Sequence, residues 1–228
     1  MVDQHLASVY ALGHRLPPTR MPTDNDDVAE IETTNYAKFQ SRNPVAIRLI
    51  DRFYATLRSL VMSLEPDSVL DAGCGEGETV ARLADCLPRR VAGIDTRDDC
   101  VGFTRRRFPW MDVSRQSVYE LAFADGAFDL VLCLEVLEHL DDPAVALSEL
   151  ARVGRRDLVI SVPHEPWFRV GSLLRGRHLS RLGNHPEHVQ RWARGGFREF
   201  LVPQVEVVSL TTAFPWLIAH CRPRPEAG

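Results

Sequence analysis

Short apolar segments alternate with longer amphipathic segments along the middle of this chain. The apolar segments predict five β-strands, at 69–70, 91–95, 111–118, 128–132 and 157–162. The segments between them predict three helices, at 79–86, 98–108 and 143–153. Strands that alternate with helices in this way predict a parallel sheet with helices on both of its faces.

The two ends of the chain depart from this alternation. Before the first strand, the pattern predicts helices at 33–39 and 44–64. The second of these helices carries apolar residues at spacings of three or four, namely Val45, Leu49, Phe53, Leu57 and Leu60. Near the other end, a helix at 194–201 precedes strands at 205–210 and 214–219, and the short connection forces these two strands to pair antiparallel. The sequence therefore predicts an α/β fold with a seven-stranded, mostly parallel sheet and an antiparallel strand near the C-terminus.

A glycine-rich loop follows the first predicted strand. Residues 69–79 read VLDAGCGEGET, with Asp71 before three glycines at every second position. Such a loop brings backbone N–H groups close to a ligand, since glycine has no Cβ to hold the ligand away. The second strand also ends in an acid, Asp95, which can accept hydrogen bonds from both hydroxyls of a ribose. The two features together predict a nucleoside-bearing cofactor.

The loop departs from the dinucleotide fingerprint and from the Walker loop, because the glycine spacing differs and no Lys-Ser/Thr pair follows. An acid directly before the turn suits a cofactor that has an ammonium group instead of phosphates. At this point the sequence resembles the class I S-adenosylmethionine (SAM)-dependent methyltransferases. The resemblance extends over about residues 36–221 and rests on four blocks, at 69–79, 93–95, 127–131 and 135–140. It implies a Rossmann-like sheet.

The resemblance implies a role in cofactor binding for residues at the ends of four strands. Asp71, Gly73, Cys74 and Gly75 line the methionine part, and Gly77 lets the next helix pack closely. Asp95 holds the ribose and Thr96 lies against the adenine. Ser117, Val118 and Cys133 complete the implied set. At Ser117 the family often has an acid, so this chain departs from the pattern there. Tyr36 and Phe39 are candidates either to cover the cofactor or to pack within their helix.

A cluster of acids and histidines follows the fourth strand. Glu135 and Glu138 are three residues apart, which predicts a shared helix face, and His139 is adjacent. One interpretation is a helix start that walls the pocket. The other is a divalent metal site for Mg²⁺, Mn²⁺ or Zn²⁺. The arrangement resembles that of the ubiquinone-pathway catechol O-methyltransferases and of the small-RNA terminal 2′-O-methyltransferases. Its ligands would be Glu135, Glu138, His139 and a later histidine, with His188 preferred over His164 and His185. Without a metal, His139 or His164 is the expected general base.

The composition indicates one domain in a reducing compartment. The chain has 228 residues, 45% of them hydrophobic, and a net charge of −4, so a nucleic-acid partner is not indicated. Its five cysteines form no C-x-x-C pair, which favours a cytoplasmic location. Residues 1–16 contain no long apolar run, so we expect neither a signal peptide nor a transmembrane segment there.

We expect residues 1–64 to form an extension with cofactor-capping helices and residues 65–228 to form the SAM-binding domain. An arginine-rich insertion at about 164–198 would line the acceptor pocket. Its arginines suit an acidic or phosphorylated small molecule, an anionic membrane surface or RNA, and they equally suit a solvated amphipathic helix.

The expected activity is methyl transfer to a small molecule, with oxygen favoured over nitrogen. The alternatives are a metal-dependent RNA 2′-O-methyltransferase and a non-catalytic SAM-binding or membrane-associated protein.

Overall fold

The structure is a computed structural model that describes residues 43–165 and 189–224, and its centre is a seven-stranded β-sheet. The strands are β1 (Ser68–Ala72), β2 (Arg90–Asp95), β3 (Asp112–Arg115), β4 (Phe128–Leu134), β5 (Gly154–Pro163), β6 (Val205–Ala213) and β7 (Trp216–Pro223). Their order across the sheet is β3-β2-β1-β4-β5-β7-β6. All pairs are parallel except those of β7, which is antiparallel to β5 and to β6. The predicted fold class is confirmed.

Helices cover both faces of the sheet. They are α1 (Pro44–Leu64), α2 (Glu78–Leu83), α3 (Asp98–Arg107), α4 (Pro143–Val153) and α5 (Arg194–Leu201). Apolar residues of α1, α2 and α3 form one buried cluster with the sheet, and those of α4 and α5 form a second cluster on the opposite face. The sheet is therefore buried between two helical layers, as its apolar strands require.

Helix α1 forms over the predicted range, but its buried stripe differs from the prediction. Asn43 caps the helix, because its side chain accepts a hydrogen bond from the Val45 amide (2.9 Å). Val45 was predicted to belong to the buried stripe and is 65% exposed. The residues that α1 buries against the sheet are Ile50, Phe53, Tyr54, Leu57 and Val61. The apolar face is thus rotated toward residues 50 and 54, which brings a tyrosine into the interior.

Several element bounds differ from the prediction. Strand β3 is shorter than 111–118, since it ends at Arg115. Helix α2 ends at Leu83 rather than at residue 86. Both C-terminal strands extend beyond the predicted ranges. The predicted helix at 33–39, with Tyr36 and Phe39, and most of the predicted insertion lie outside the described residues.

The loop between β3 and β4 is fixed to helix α4 by Arg152. This guanidinium donates hydrogen bonds to the carbonyl oxygens of Leu121 (2.9 Å) and Phe123 (2.8 Å). It also pairs with Glu149 and with Asp125 at 2.6 Å. The backbone carbonyls of this irregular loop thereby receive hydrogen bonds. The loop, which includes residues 117 and 118, is thus held in place.

The order of the strands locates a crevice. β1 lies between β2 and β4, so the chain changes direction across the sheet at β1. Ligands of open α/β sheets bind at the carboxyl ends of the strands, at such a reversal. β1, β2, β4 and β5 end at this edge, where Asp71, Asp95, Glu135 and His164 lie. None of the helices in the described part of the chain is long and apolar enough to cross a membrane.

Candidate cofactor site

The glycine loop is tied to the neighbouring strand by its own backbone. The amides of Gly73 and Cys74 both donate to the carbonyl oxygen of Ile94, at 2.8 and 2.9 Å. The amide of Gly77 donates back to the carbonyl of Cys74 at 2.9 Å. The N–H groups of residues 73 and 74 are therefore used within the protein. Residues 73 and 74 therefore contribute to a site by setting the course of the loop backbone, and not by offering free N–H donors.

Two of the glycines serve different purposes. Gly75 and Gly77 both have left-handed backbone angles, φ +50° and +75°. A Cβ at Gly77 would lie 2.6 Å from a ring carbon of Phe108, so this glycine is needed for packing against helix α3. A Cβ at Gly75 would meet no described atom within 4 Å. Among the described residues, the space above Gly75 is therefore open.

Asp95 is oriented by the loop that it faces. One carboxylate oxygen accepts from the Gly75 amide and the other from the Arg97 amide, both at 3.0 Å. The residue is half-buried at the end of β2. A carboxylate has about four acceptor positions, so these two bonds fix its orientation and leave capacity for the hydroxyls of a ribose.

Asp71 is buried at the end of β1. Its exposure is 2%, and among the described residues its Oδ2 atom has no hydrogen-bond partner. Burial, and secondarily the negative charge of Asp95, raises the pKa of Asp71 to about 7. A buried acid beside a second acid is stabilised by a cationic partner. These residues therefore fit the ammonium group of an amino-acid tail.

The segment predicted to contact adenine lies beside Asp95. The Gln116 amide donates to the carbonyl of Asp95 at 3.1 Å, which brings Ser117 next to the crevice. The Ser117 hydroxyl accepts from the Tyr119 amide at 3.2 Å and so forms a local turn. Val118 is buried and Thr96 is exposed.

The two cysteines predicted for the site are core residues. Cys133 is fully buried on β4, on the face covered by α4 and α5, and Cys74 is buried on the other face. Burial raises the pKa of both thiols, so both stay protonated. Any contact of Cys133 with a ligand would be made by its backbone.

Glu135 joins three strands at the same edge. Its backbone is left-handed, with φ +59°, and its amide donates to the carbonyl of Ser161 (3.1 Å). Its carboxylate accepts from the Ser161 hydroxyl (3.0 Å) and from the indole N–H of Trp216 (2.7 Å). The Trp216 ring packs on Phe53 of α1, with ring centroids 5.2 Å apart. Glu135 therefore connects β4, β5 and β7 and faces an aromatic wall.

The predicted geometry of the acid–histidine cluster is wrong in one respect. The helical turn is a 3₁₀ turn over Leu137–His139 only, so Glu135 precedes it and does not share a helix face with Glu138. Glu138 is 1% exposed, and its carboxylate lies 3.9 Å from Nε2 of His139. Within residues 43–165 and 189–224, no three potential ligands come together as a metal site requires. The metal prediction is unsupported; His185 and His188 lie outside the described residues.

His164 lies directly after β5. Its amide donates to the carbonyl of Pro215 at 2.8 Å, which fixes it to the β6–β7 hairpin. Its Nδ1 atom is buried and has no partner among the described residues. Burial, with a smaller contribution from the positive charge of Arg194, lowers the pKa of His164. The imidazole is therefore neutral near pH 7 and able to accept a proton.

Comparison with known proteins shows which family the middle of the chain resembles. Residues 70–160, which run from β1 into β5, match the family described as methyltransferase domain. The middle of the chain is thus similar to methyltransferase domains.

The relatives cover parts of the chain. A probable SAM-dependent methyltransferase of Mycobacterium tuberculosis is 38% identical over 105 residues, which are 45% of this chain and 38% of the relative. The ubiquinone biosynthesis O-methyltransferase of Alkalilimnicola ehrlichii is 35% identical over 152 residues, which are 58% of this chain and 60% of the relative. The chain thus spans about two fifths and three fifths of the length of these relatives.

Solved structures confirm the fold. The magnesium protoporphyrin IX methyltransferase of Synechocystis superposes with a TM-score of 0.61 at 20% identity, over 83% of this chain and 95% of that one. A SAM-dependent methyltransferase of Thermotoga maritima gives a TM-score of 0.59 at 14% identity, over 83% of this chain and 95% of that one.

Sequence reasoning missed three residues at this edge. Tyr54, Ser161 and Trp216 are far apart in the chain and belong to no motif. Tyr54 has the spacing of a buried helix position relative to Leu57 and Val61, which was the one available signal. The other two are brought to Glu135 by strand pairing alone.

Replacing Gly75 and Gly77 in turn separates the need for close packing from the need for open space in the loop. Gly77→Ala should lower the free energy of unfolding by about 2–4 kcal/mol, because left-handed strain adds to the overlap with Phe108. Gly75→Ala should lower it by only about 1 kcal/mol, because only the strain applies. Urea unfolding of both variants tests this, and equal losses would contradict the assignment.

Asp71→Asn should make stability less dependent on pH. The folded-state pKa of about 7 exceeds the ordinary 3.8, so the folded wild type binds more protons and loses stability as pH rises through this window. Above this pH window, the stability that the wild type has lost is at most about 4 kcal/mol, because each unit of pKa difference corresponds to about 1.4 kcal/mol. We therefore expect the variant to be more stable than wild type at about pH 8, and the difference to shrink toward about pH 4. Urea unfolding across this range would contradict the burial argument if the two proteins changed in parallel.

Proposed function

We propose that this protein transfers a methyl group from SAM to a hydroxyl oxygen of a small molecule. The observation that carries the proposal is the buried carboxyl of Asp71, at the end of the strand that pairs with the strand of Asp95. It directly precedes the loop in which Gly75 leaves space among the described residues. This arrangement offers an acid for an ammonium group and an acid for a ribose in one crevice.

The residues of the crevice fit the parts of SAM. We assign Asp71 to the ammonium group, Asp95 to the ribose hydroxyls, and Thr96 with the segment at residues 117–118 to the adenine. When bound, SAM supplies an electrophilic methyl carbon on a sulfonium. The contribution of the protein is to hold the acceptor oxygen in line with that carbon, and such positioning accounts for much of the rate in reactions of this kind.

We assign the removal of the acceptor proton to His164. It lies at the carboxyl end of β5, it is neutral near pH 7, and its Nδ1 atom is not used by any described residue. His139 is the other candidate, and its side chain is 32% exposed beside Glu138. Burial favours His164, because a general base works best where water is excluded.

Two observations favour oxygen as the acceptor atom. One relative is named an O-methyltransferase, and an acceptor with a hydroxyl group is consistent with a neutral imidazole base.

The wall formed by Trp216 and Phe53 suits an aromatic or other flat acceptor. The positive charge of Arg194 close to His164 also supports an acidic acceptor.

All five cysteines are free thiols, which supports a cytoplasmic location.

Cofactor binding is the first test. Asp95→Ala should weaken binding of S-adenosylhomocysteine (SAH) by about ten- to a hundredfold, because hydrogen bonds to a charged group are lost. Isothermal titration calorimetry measures this loss. Asp112→Ala is the matched control, an exposed acid on the neighbouring strand β3, and it should bind SAH as wild type does. Wild type that binds no SAH would contradict the proposal.

The pH dependence of methyl transfer is the second test. With labelled SAM and a panel of hydroxylated aromatic acceptors, the rate should rise with pH through a pKa below the ordinary 6.5 of histidine, since the pKa of His164 is lowered. His164→Gln should remove this limb and slow transfer by about 10²- to 10⁴-fold.

His139→Gln distinguishes the two histidines. The His139→Gln variant should keep the rise in rate with pH. If His139→Gln removes this rise while His164→Gln keeps it, the general base is His139. Label found on nitrogen would contradict oxygen as the acceptor atom.

A further inference from the structure

Helix α3 contacts the glycine loop with a single face. Cys100, Thr104 and Arg107 follow one another at spacings of four and three, so their side chains lie on the same side of the helix. The Thr104 hydroxyl donates a hydrogen bond to the carbonyl oxygen of Gly75 at 2.7 Å. Nη1 of Arg107 donates to the carbonyl oxygen of Glu76 at 3.0 Å, and the Cys100 thiol lies 3.8 Å from the carboxylate of the same residue. The helix therefore holds two successive carbonyl groups of the loop.

The Thr104 hydroxyl is directed out of its own helix. A threonine within a helix commonly donates to a carbonyl of the preceding turn, whereas this one donates to a residue 29 positions earlier in the chain. Thr104 is fully buried, so water has little access to take over its role. A buried carbonyl without a donor is unfavourable, and this bond therefore determines the direction of the peptide group between residues 75 and 76.

Gly75 is held on both sides. Its carbonyl accepts from Thr104, and its amide donates to Oδ2 of Asp95 at 3.0 Å. The residue has a left-handed backbone, with φ +50°, and glycine leaves this conformation at little cost because it lacks a Cβ. The two hydrogen bonds therefore supply the conformational restraint that the residue itself lacks. Loss of the bond at one side releases the group at the other side.

We propose that Thr104 is a positioning residue for the ribose of SAM. Its hydroxyl holds Gly75 in the conformation in which the Gly75 amide orients the Asp95 carboxylate. The inference rests on the proposed function, in which Asp95 binds the ribose hydroxyls. Thr104 acts through these two residues and does not touch the cofactor, because it is fully buried against the loop.

The effect of Thr104 on affinity follows from the populations of loop conformations. Without the hydroxyl, the peptide group after Gly75 can turn toward other donors, and the amide that orients Asp95 turns with it. Only the molecules with Asp95 in its binding orientation take up ligand, so the apparent dissociation constant rises as their fraction falls. The hydrogen bonds from the start of the loop to β2 are untouched, so the loop as a whole stays in place.

A double-mutant cycle with Asp95 tests this inference by calorimetry with SAH. Thr104→Val removes the hydroxyl at nearly constant volume, and it should weaken SAH binding by about three- to tenfold, the effect of one hydrogen bond. In an Asp95→Ala background the same substitution should change SAH binding by less than about twofold, because Thr104 acts only through Asp95. Thr104→Ser keeps the hydroxyl, and it should bind SAH within about twofold of wild type.

Ser68→Ala is the matched control. Ser68 is also buried, and its hydroxyl accepts a hydrogen bond from the amide of Asp129 at 2.9 Å. It lies at the start of β1, at the opposite edge of the sheet from the loop. The variant should lose stability, as Thr104→Val does, and it should bind SAH as wild type does.

Equal losses of SAH affinity from Thr104→Val in both backgrounds would overturn the inference, because Thr104 would then act independently of Asp95. Unchanged SAH binding by Thr104→Val would overturn it too. Melting temperatures show whether Thr104→Val is folded. If it is not, Thr104→Ala and Thr104→Ser replace it in the cycle, since these two variants differ by the hydroxyl alone.

The failure of the proposed function has a different signature. Wild type that binds no SAH would contradict the function itself. If wild type binds SAH and Asp95→Ala weakens this binding while Thr104→Val does not, only the assignment of Thr104 fails.

Discussion

The site depends on a single backbone carbonyl. The Ile94 oxygen accepts hydrogen bonds from two successive amides, those of Gly73 and Cys74. These bonds fold the loop against β2 immediately after β1 ends. They thereby fix the positions of Asp71 on β1 and Asp95 on β2 along the same edge of the sheet. Asp95 then holds the Gly75 amide from the other side. A loop held at three points has little conformational freedom left to lose, so we expect ligand binding to cost little conformational entropy.

This arrangement brings negative charge into the interior. Asp71 lies buried next to β2, and the charge of Asp95 adds to the effect of burial on its pKa. A fold selected for stability alone would place an apolar residue there, because an unpaired buried acid is unfavourable. A cationic ligand offsets that unfavourable term when it binds. Under the proposed function, local instability and affinity for the cofactor have the same cause, which is a common relation between stability and activity at functional sites.

The part of the edge around Glu135, which we propose faces the acceptor, is organised by a different interaction. Glu135 is held in a left-handed conformation while its carboxylate accepts from Ser161 and Trp216. Trp216 in turn packs on Phe53 of helix α1, and the adjacent Pro215 accepts from the amide of His164. One carboxylate thus connects the helical layer, the centre of the sheet and the C-terminal hairpin. Non-glycine residues with positive φ persist where the surrounding structure determines them, and they concentrate at functional sites.

The sequence alone determined the order of strands and helices and the identity of the glycine loop, with Asp71 and Asp95 at its two sides. These are local properties: apolar periodicity fixes an element, and glycine spacing fixes a turn. Tertiary structure decided the rest. The face that α1 buries, the burial of Tyr54 rather than Val45, and the use of Glu135 as an acceptor for Trp216 all depend on strands distant in the chain. Such contacts arise from the pairing of β5 with β7 and the packing of α1 on the sheet, and local periodicity carries no information about either.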